Sequence, residues 1–376
     1  MKIGYYGYYG AKNSGDDAFV EVAAWGAQKY WGCTEHVFFS EELPQITTSA
    51  SSLNYHKGYF SFAKAIYSIF ETDIFISAGG STFHSELKST DLRTYAKLKK
   101  RLFKNSIAGA IGISLGPYSN AKAEESTIAY LKKLNFLSLR DKYSYDLACS
   151  YNLPYKPVEA FDLAALLPSI YSDIPNRAAL EVTNEEKIIG ISICNYERYL
   201  NGDLEKEKRR NKYFLEVLIP FVKEKNIKFR FFVFNGNPQY GDLEVTTNLI
   251  HQMQMDGLNN FEVIPYLNNV ELTWNKIKEC DLIISTRLHA SIFACFADVP
   301  FFLIEYHRKC SDFLNDVGHQ SAYRLLDGER NVKEVWSEIR KILFDKKYIY
   351  PLNKSASEDR ALLNFTETYP LCENSK

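Results

Sequence analysis

The sequence lacks a charge imbalance, a long apolar run and a cysteine framework. Its 376 residues carry 45 lysines and arginines against 46 aspartates and glutamates. Such a balance leaves no electrostatic footprint for nucleic acid, and no lysine- or arginine-rich block reads as a polybasic membrane anchor. No segment approaches the ~18 consecutive apolar residues of a membrane span, and the opening MKIGYYGYYG has no apolar signal-peptide core. The seven cysteines (Cys33, Cys149, Cys194, Cys280, Cys295, Cys310 and Cys372) never fall in a C-x-x-C spacing. That scatter fits reduced thiols rather than a disulfide frame or a zinc site, and argues against a secreted binding protein. H-E-x-x-H, a D-x-D pair and cysteine–histidine metal spacings are also missing, which favours a metal-free mechanism. Together these absences predict a cytoplasmic protein, at most peripheral to the inner face of a membrane.

What is present is aromatic and apolar. With 26 tyrosines, 25 phenylalanines and 46% apolar residues, the chain has material for about two cores of ordinary domain size. Short apolar runs alternate with helix-like spacers. Strands are expected near residues 2–8, 36–40, 73–78, 106–115 and 136–140, then near 187–193, 228–234, 261–265, 281–286 and 300–305. Most are continuous apolar stretches, as in parallel strands covered on both faces. Residues 17–30 place Phe19, Val22, Ala23, Ala27 and Tyr30 on one stripe at helical spacing. This alternation predicts an α/β protein with two Rossmann-like, doubly wound domains facing across a cleft, over 1–170 and 186–345. The polar stretch 168–187 is the expected linker. A helix near 331–344 precedes a tail, 346–376, whose helical pattern at 357–365 is expected to pack back on the first domain.

Ligands in such folds bind beyond the carboxyl ends of the strands, so the turns there are the place to look for chemistry. The first, GYYGAKNSGDDAF, is neither G-x-G-x-x-G nor a phosphate-cradling lysine loop. Ser14 or Asp16 could cap the following helix, yet two adjacent carboxylates exceed what capping needs. Asp16 or Asp17 could bind a sugar hydroxyl or take its proton. A second turn carries Gly79, Gly80, Ser81, Thr82 and His84, the histidine being otherwise a plain exposed residue. A later strand end delivers Arg140 and Asp141, either an anion ligand or a local ion pair. The stretch STRLHASIF sets Arg287 and His289 in the first turn of a helix. Open N–H groups and the helix dipole favour an anion there, which a guanidinium can grip in bidentate fashion. Ion pairing to the facing domain is the competing account of Arg287. Glu305 ends the next strand as a candidate acid/base or hydroxyl ligand, followed by Lys309 as a further anion contact or a solvated surface charge.

These segments, in this order, resemble the polysaccharide pyruvyl transferases. The resemblance lies in the Gly7–Ala18 opening with its N-x-G-D core at Asn13–Asp16, the Ala78–Gly80 turn and the Gly112–Pro117 strand exit. It continues through Arg140–Ser144, Asp162–Leu166, the S-x-R-L-H-A block Ser285–Ala290 and the stretch Val299–Gly318. It departs at Leu163, where proline is usual, and at A-G-G-S in place of G-G-G. It implies a fold like that of GT-B glycosyltransferases, with the acceptor on the first domain and the donor on the second. The implied activity moves the enolpyruvyl unit of phosphoenolpyruvate onto sugar hydroxyls of a cell-surface polysaccharide or its precursor, free or lipid-linked, giving a pyruvate ketal. No cofactor beyond this donor substrate is implied. Arg287, His289, Arg140 and Lys309 are then expected at the donor, and Asp16, Asn13, Gly80, Ser81 and His84 at the acceptor. His289 is the expected proton donor, with Asp17 or Glu305 as base. A nucleotide-sugar glycosyltransferase on the same scaffold is the alternative, because a helix terminus with an arginine also suits a diphosphate. A non-catalytic sugar-binding or assembly protein is the third reading.

Overall fold

The computed structural model describes residues 1–103, 105–172, 186–200 and 202–369. Two all-parallel sheets organise them. The first contains β1 (Lys2–Tyr6), β2 (Glu35–Phe38), β3 (Ser51–Ser52), β4 (Ile74–Phe83), β5 (Ile107–Leu115), β6 (Phe136–Leu139) and β7 (Val158–Glu159), in the order 3-2-1-4-5-6-7. The second contains β8 (Lys187–Ser192), β9 (Ile227–Phe232), β10 (Phe261–Ile264), β11 (Leu282–Ser285), β12 (Phe301–Ile304) and β13 (Arg324–Leu325), in the order 10-9-8-11-12-13. Each sheet reverses its winding once, between β1 and β4 and between β8 and β11. Those reversals are the switch points at which such sheets open for ligands.

All ten expected strand regions are strands. The largest boundary shift is at β4, which runs on to Phe83, so Gly79 and Gly80 lie within the strand rather than in a turn after it. β3, β7 and β13 were not expected, since two residues carry no hydrophobic period.

The helix Ser14–Trp31 is not a one-stripe surface helix. Asn13 caps it, accepting from Gly15 N at 3.1 Å, and Gly32 ends it in the left-handed region. Most of its residues are buried because it is wedged between three bodies. Phe19, Val22 and Ala23 share one core with Ile3 and Ile76 of the first sheet, Trp274 and Phe293 of the second half, and Phe365 of the helix Lys354–Thr366. Each such large side chain contributes about 1.5–3 kcal/mol on full burial. Gly26 is required there: a Cβ would stand 2.2 Å from the Phe365 ring. The Lys354–Thr366 helix is also tied to the first half by polar links, one from the first helix and one from β6. Trp31 Nε1 donates to Phe365 O (2.8 Å) and Ser138 Oγ to Asn364 Oδ1 (2.6 Å).

The two halves are stitched through backbone. Ser14 N donates to Phe234 O (2.9 Å), Gly236 N to Lys12 O (2.8 Å) and Gln45 N to Asn268 O (2.8 Å). Of the stretch 168–187 expected as a linker, residues 173–185 lie outside the described residues, as does 370–376 of the tail.

Candidate active site

Residues beyond the carboxyl ends of strands in both sheets meet around a cavity of about 200 Å³. Four helices begin at or beside its wall: Ser14–Trp31, Lys142–Ser150, Leu288–Phe296 and Arg308–Asp316. Three are capped by side chains, from Asn13, Asp141 and His307. The Leu288–Phe296 helix has Arg287 at its cap position and no side-chain cap, so its first N–H groups remain available to an anion.

Cations surround the space. Arg140 follows β6; its Nη1 pairs with Asp162 Oδ2 (2.8 Å) and its Nε donates to Ser114 Oγ (2.7 Å). Asp141 does not pair with it, but caps the next helix through Ser144 N (2.8 Å). Lys309 Nζ reaches across from the second half to donate to Ser81 Oγ (2.7 Å), and Arg140 Nη2 approaches the same oxygen at 3.4 Å. Two cations thus converge on one neutral hydroxyl. Among the described residues Lys309 has no carboxylate in ion-pair range, and burial together with neighbouring Arg140 brings its ammonium down to about 8. Such an arrangement is costly unless an anion joins it.

Arg287 faces the cavity but is held from behind. Its Nε and Nη2 grip Asp242, whose side chain is 0% exposed, and among the described residues Nη1 has no hydrogen-bond partner. Its partner lies in the same half, not in the facing one. His289 enters from the first turn of its helix and stacks edge-on against Phe19 with ring centroids 5.2 Å apart. It sits so close to the first helix that a Cβ on Gly15 would be 2.3 Å from Nδ1. Its Nε2 is buried without a hydrogen-bond partner, and Asp162 Oδ2 is 3.8 Å away. Burial pushes the Asp162 carboxyl up, but His289 and Arg140 outweigh it and hold it at about 2. Asp162 is therefore a fixed negative charge between the two halves.

Asp16 is the second free charge. It lines the cavity opposite Gly80 and accepts no hydrogen bond from the described residues. Burial raises its carboxyl to about 6 even though His289, Arg140 and Arg287 pull it down. A group that titrates there can both take and return a proton near neutrality. His307, also in the wall, accepts from Lys309 N through Nδ1 (3.1 Å); burial and the adjacent cations lower it to about 4, so it stays neutral.

Of the residues expected from the sequence, Arg287, His289, Arg140, Lys309, Asp16, Asn13, Gly80 and Ser81 all line this cavity. Three expectations are corrected. Asp17, expected as a base, is one step round the helix from Asp16 and turned away. It accepts from Tyr266 OH (2.7 Å), and burial raises it to about 8. Glu305 is not available as a base: it accepts from Arg324 Nε (2.8 Å), and its side chain is 1% exposed. His84 is exposed, with Nδ1 3.1 Å from Ser81 O, and does not reach the cavity. The anchoring aspartates Asp162 and Asp242 were not expected as site residues, and neither were the wall tyrosines Tyr196 and Tyr306, whose rings lie 4.8 Å apart. Gly112–Gly116 spells G-x-S-x-G, the pattern of a nucleophile elbow. Yet Ser114 lies inside β5, buried and hydrogen-bonded to Asp141 (2.7 Å), so it is a structural link.

Solved structures share this architecture. A UDP-N-acetylglucosamine 2-epimerase aligns with TM-score 0.63 at 12% identity over 100% of this chain and 98% of its own. The UDP-GlcNAc 2-epimerase of Methanocaldococcus jannaschii gives 0.60 at 12% identity, over 97% and 100%. A glycosyltransferase from Rickettsia africae gives 0.53 at 12%, over 99% and 96%. At such identities the likeness is one of fold, and the fold is GT-B-like. No curated protein matches the sequence. The family model for polysaccharide pyruvyl transferase matches residues 13–308, from the cap of the first helix to the start of the helix that carries Lys309. That span covers most of the cavity wall, and on it the chain belongs to the polysaccharide pyruvyl transferase family.

Proposed function

We propose that the protein transfers the enolpyruvyl unit of phosphoenolpyruvate onto a pair of sugar hydroxyls in a surface polysaccharide or its precursor, forming a pyruvate ketal and releasing phosphate. The observation that carries this reading is the convergence of Lys309 and Arg140 on Ser81 Oγ, beside the uncapped end of the Leu288–Phe296 helix. A small donor with a carboxylate and a phosphate supplies what these groups lack. The cavity, about 200 Å³, is also smaller than the ~300–1,000 Å³ of pockets for drug-sized ligands, which favours a three-carbon donor over a nucleotide-sugar.

The chemistry needs one proton in and two out. A proton from His289 adds to the methylene carbon of the donor while the first sugar hydroxyl bonds to its C2 and gives its proton to Asp16. The C2–O bond to phosphate then breaks with its electron pair on phosphate, leaving an oxocarbenium-like centre. Asp16 hands that first proton back to His289, then takes the proton of the second hydroxyl as it closes on that carbon and passes it to the departing phosphate. Asp162, ionised beside His289, stabilises the imidazolium that precedes the first step. Lys309, Arg140 and Arg287 hold the carboxylate and phosphate and stabilise the departing charge.

The test is phosphate release from phosphoenolpyruvate in the presence of an acceptor glycan, with the product weighed by mass spectrometry. A ketal on the acceptor supports the reading. Nucleotide release from a sugar nucleotide, with phosphoenolpyruvate untouched, would replace it with a glycosyl transfer.

A further inference from the structure

We propose that the outer face of the helices Tyr59–Glu71 and Leu92–Leu102 docks on an anionic lipid surface. On the first helix Phe60, Ala63, Lys64 and Tyr67 recur at i, i+3, i+4 and i+7 and all face outward. Phe60 is 88% exposed, Tyr59 82% and Tyr67 66%. The same helix fully buries only Ala65, Ser68 and Ile69, with Phe62 packed in part against that core, and leaves the rings of Tyr59, Phe60 and Tyr67 in solvent.

The neighbouring helix supplies the charge. Its sequence LRTYAKLKKRL has five cations and no acid. Arg93 and Lys99 are buried and engaged, by Asp91 and by Ile69 O. Lys97 and Arg101 point outward among Leu98, Leu102 and Phe103, and neither has an ion pair among the described residues. The rings of Phe70 and Phe103 meet edge-on at 6.2 Å and join the two helices into one strip. Nearby acids are already committed, Glu71 to Lys2 and Asp91 to Arg93. In sequence the basic run does not stand out as an anchor; the exposed rings next to it give it that character.

Exposed rings and leucines set beside Lys97 and Arg101 match the boundary between acyl chains and anionic headgroups. Among the described residues no helix is long and apolar enough to cross a membrane, so this is contact with a surface. Charge decides against a second copy of the chain, because a two-fold contact would bring the same acid-free, lysine-rich helix to both sides and offer Lys97 and Arg101 no counter-ion from it. The strip also lies near the cavity: Arg93 Nη1 donates to Thr82 O (3.0 Å), one residue beyond Ser81. An acceptor held in a lipid surface would meet the cavity at that edge. The docking itself does not depend on the reaction proposed above.

The experiment sediments the full-length protein with phosphatidylcholine vesicles, with and without phosphatidylglycerol, at low and high salt. The expected result is binding to the anionic vesicles alone, reversed by salt. F60S/Y67S and K97E/R101E should each weaken it by at least about tenfold, given about fivefold per cation removed. Circular dichroism and the unfolding midpoint of each variant should match the parent. Absence of binding, equal binding to neutral vesicles, or binding undiminished in well-folded variants would overturn the proposal. So would a wild-type dimer that F60S/Y67S turns into a monomer, which would make the strip a protein contact.

Discussion

Each half of the molecule sets one arginine beyond a strand end against one buried aspartate, and the two pairs differ in what else the aspartate holds. Asp162 faces Arg140 at 2.8 Å, His289 from the other half at 3.8 Å, and the Ala164 N–H at 3.0 Å. With that company it is held at about 2. Asp242 has Arg287 and the Asn235 N–H, and burial keeps its carboxyl above the usual range in spite of them. The first pair is a joint between halves, with charge to spare for His289. The second is a closed unit that fixes one guanidinium at the cavity wall. The same residue types are therefore placed differently: one pair joins the halves beside His289, the other fixes the position of a charge.

Removing each arginine in turn separates the two pairs. Arg287→Ala leaves Asp242 buried with no ion-pair partner and should cost about 3–5 kcal/mol in chemical denaturation. Arg140→Ala should cost less, because Asp162 retains His289 and a backbone donor. Equal losses, or the reverse order, would end the distinction. Next in size, Asp16→Asn should lower kcat by about 10²–10⁴-fold without loss of unfolding stability, since it removes a desolvated carboxylate that none of the described residues bonds. Lys309→Ala should weaken donor binding by about 10–100-fold, measured as KM or by calorimetry, with a smaller effect on kcat.

The pH profile follows from the same groups. Asp16 must be ionised to act as a base, so kcat should rise as pH passes about 6. Lys309 must be charged to hold the donor, so affinity should fall as pH passes about 8. Stability moves with the opposite sign at both. A raised carboxyl keeps a proton that the unfolded chain has released, so the contribution of Asp16 falls as pH climbs to about 6. A lowered ammonium has lost a proton that the unfolded chain retains, so the contribution of Lys309 rises above about 8. Smallest of all, Glu305→Gln should change kcat by no more than about twofold, because its carboxylate is spent on Arg324.

Much of this was legible before any coordinates. Continuous apolar runs revealed the ten long strands, and the strand-end position of Arg287, His289 and Arg140 marked the cavity. The counter-ions were not legible. Asp162 and Asp242 are 22 and 45 residues from their arginines, and no local spacing encodes a pairing made by sheet topology. The choice between Asp16 and Asp17 was hidden for a different reason. Neighbours on a helix diverge by about 100°, so one faces the cavity and the other Tyr266, and only the seating of the helix decides which. Glu305 stood at the right sheet edge, but Arg324 on the adjacent strand β13 claims it, and two residues are too few to announce a strand.

The donor proposed for this cavity is small and carries two anionic groups, and Lys309 is the cation placed to grip it. Calorimetric titration of phosphoenolpyruvate into the wild type and Lys309→Ala, at pH 7 and pH 9, tests that assignment most directly. Saturable binding by the wild type is expected at pH 7 and should weaken at pH 9, while binding by the variant should be at least about tenfold weaker at pH 7 and change less between the two values. No binding by the folded wild type, or equal affinity in the variant at both values, would contradict it.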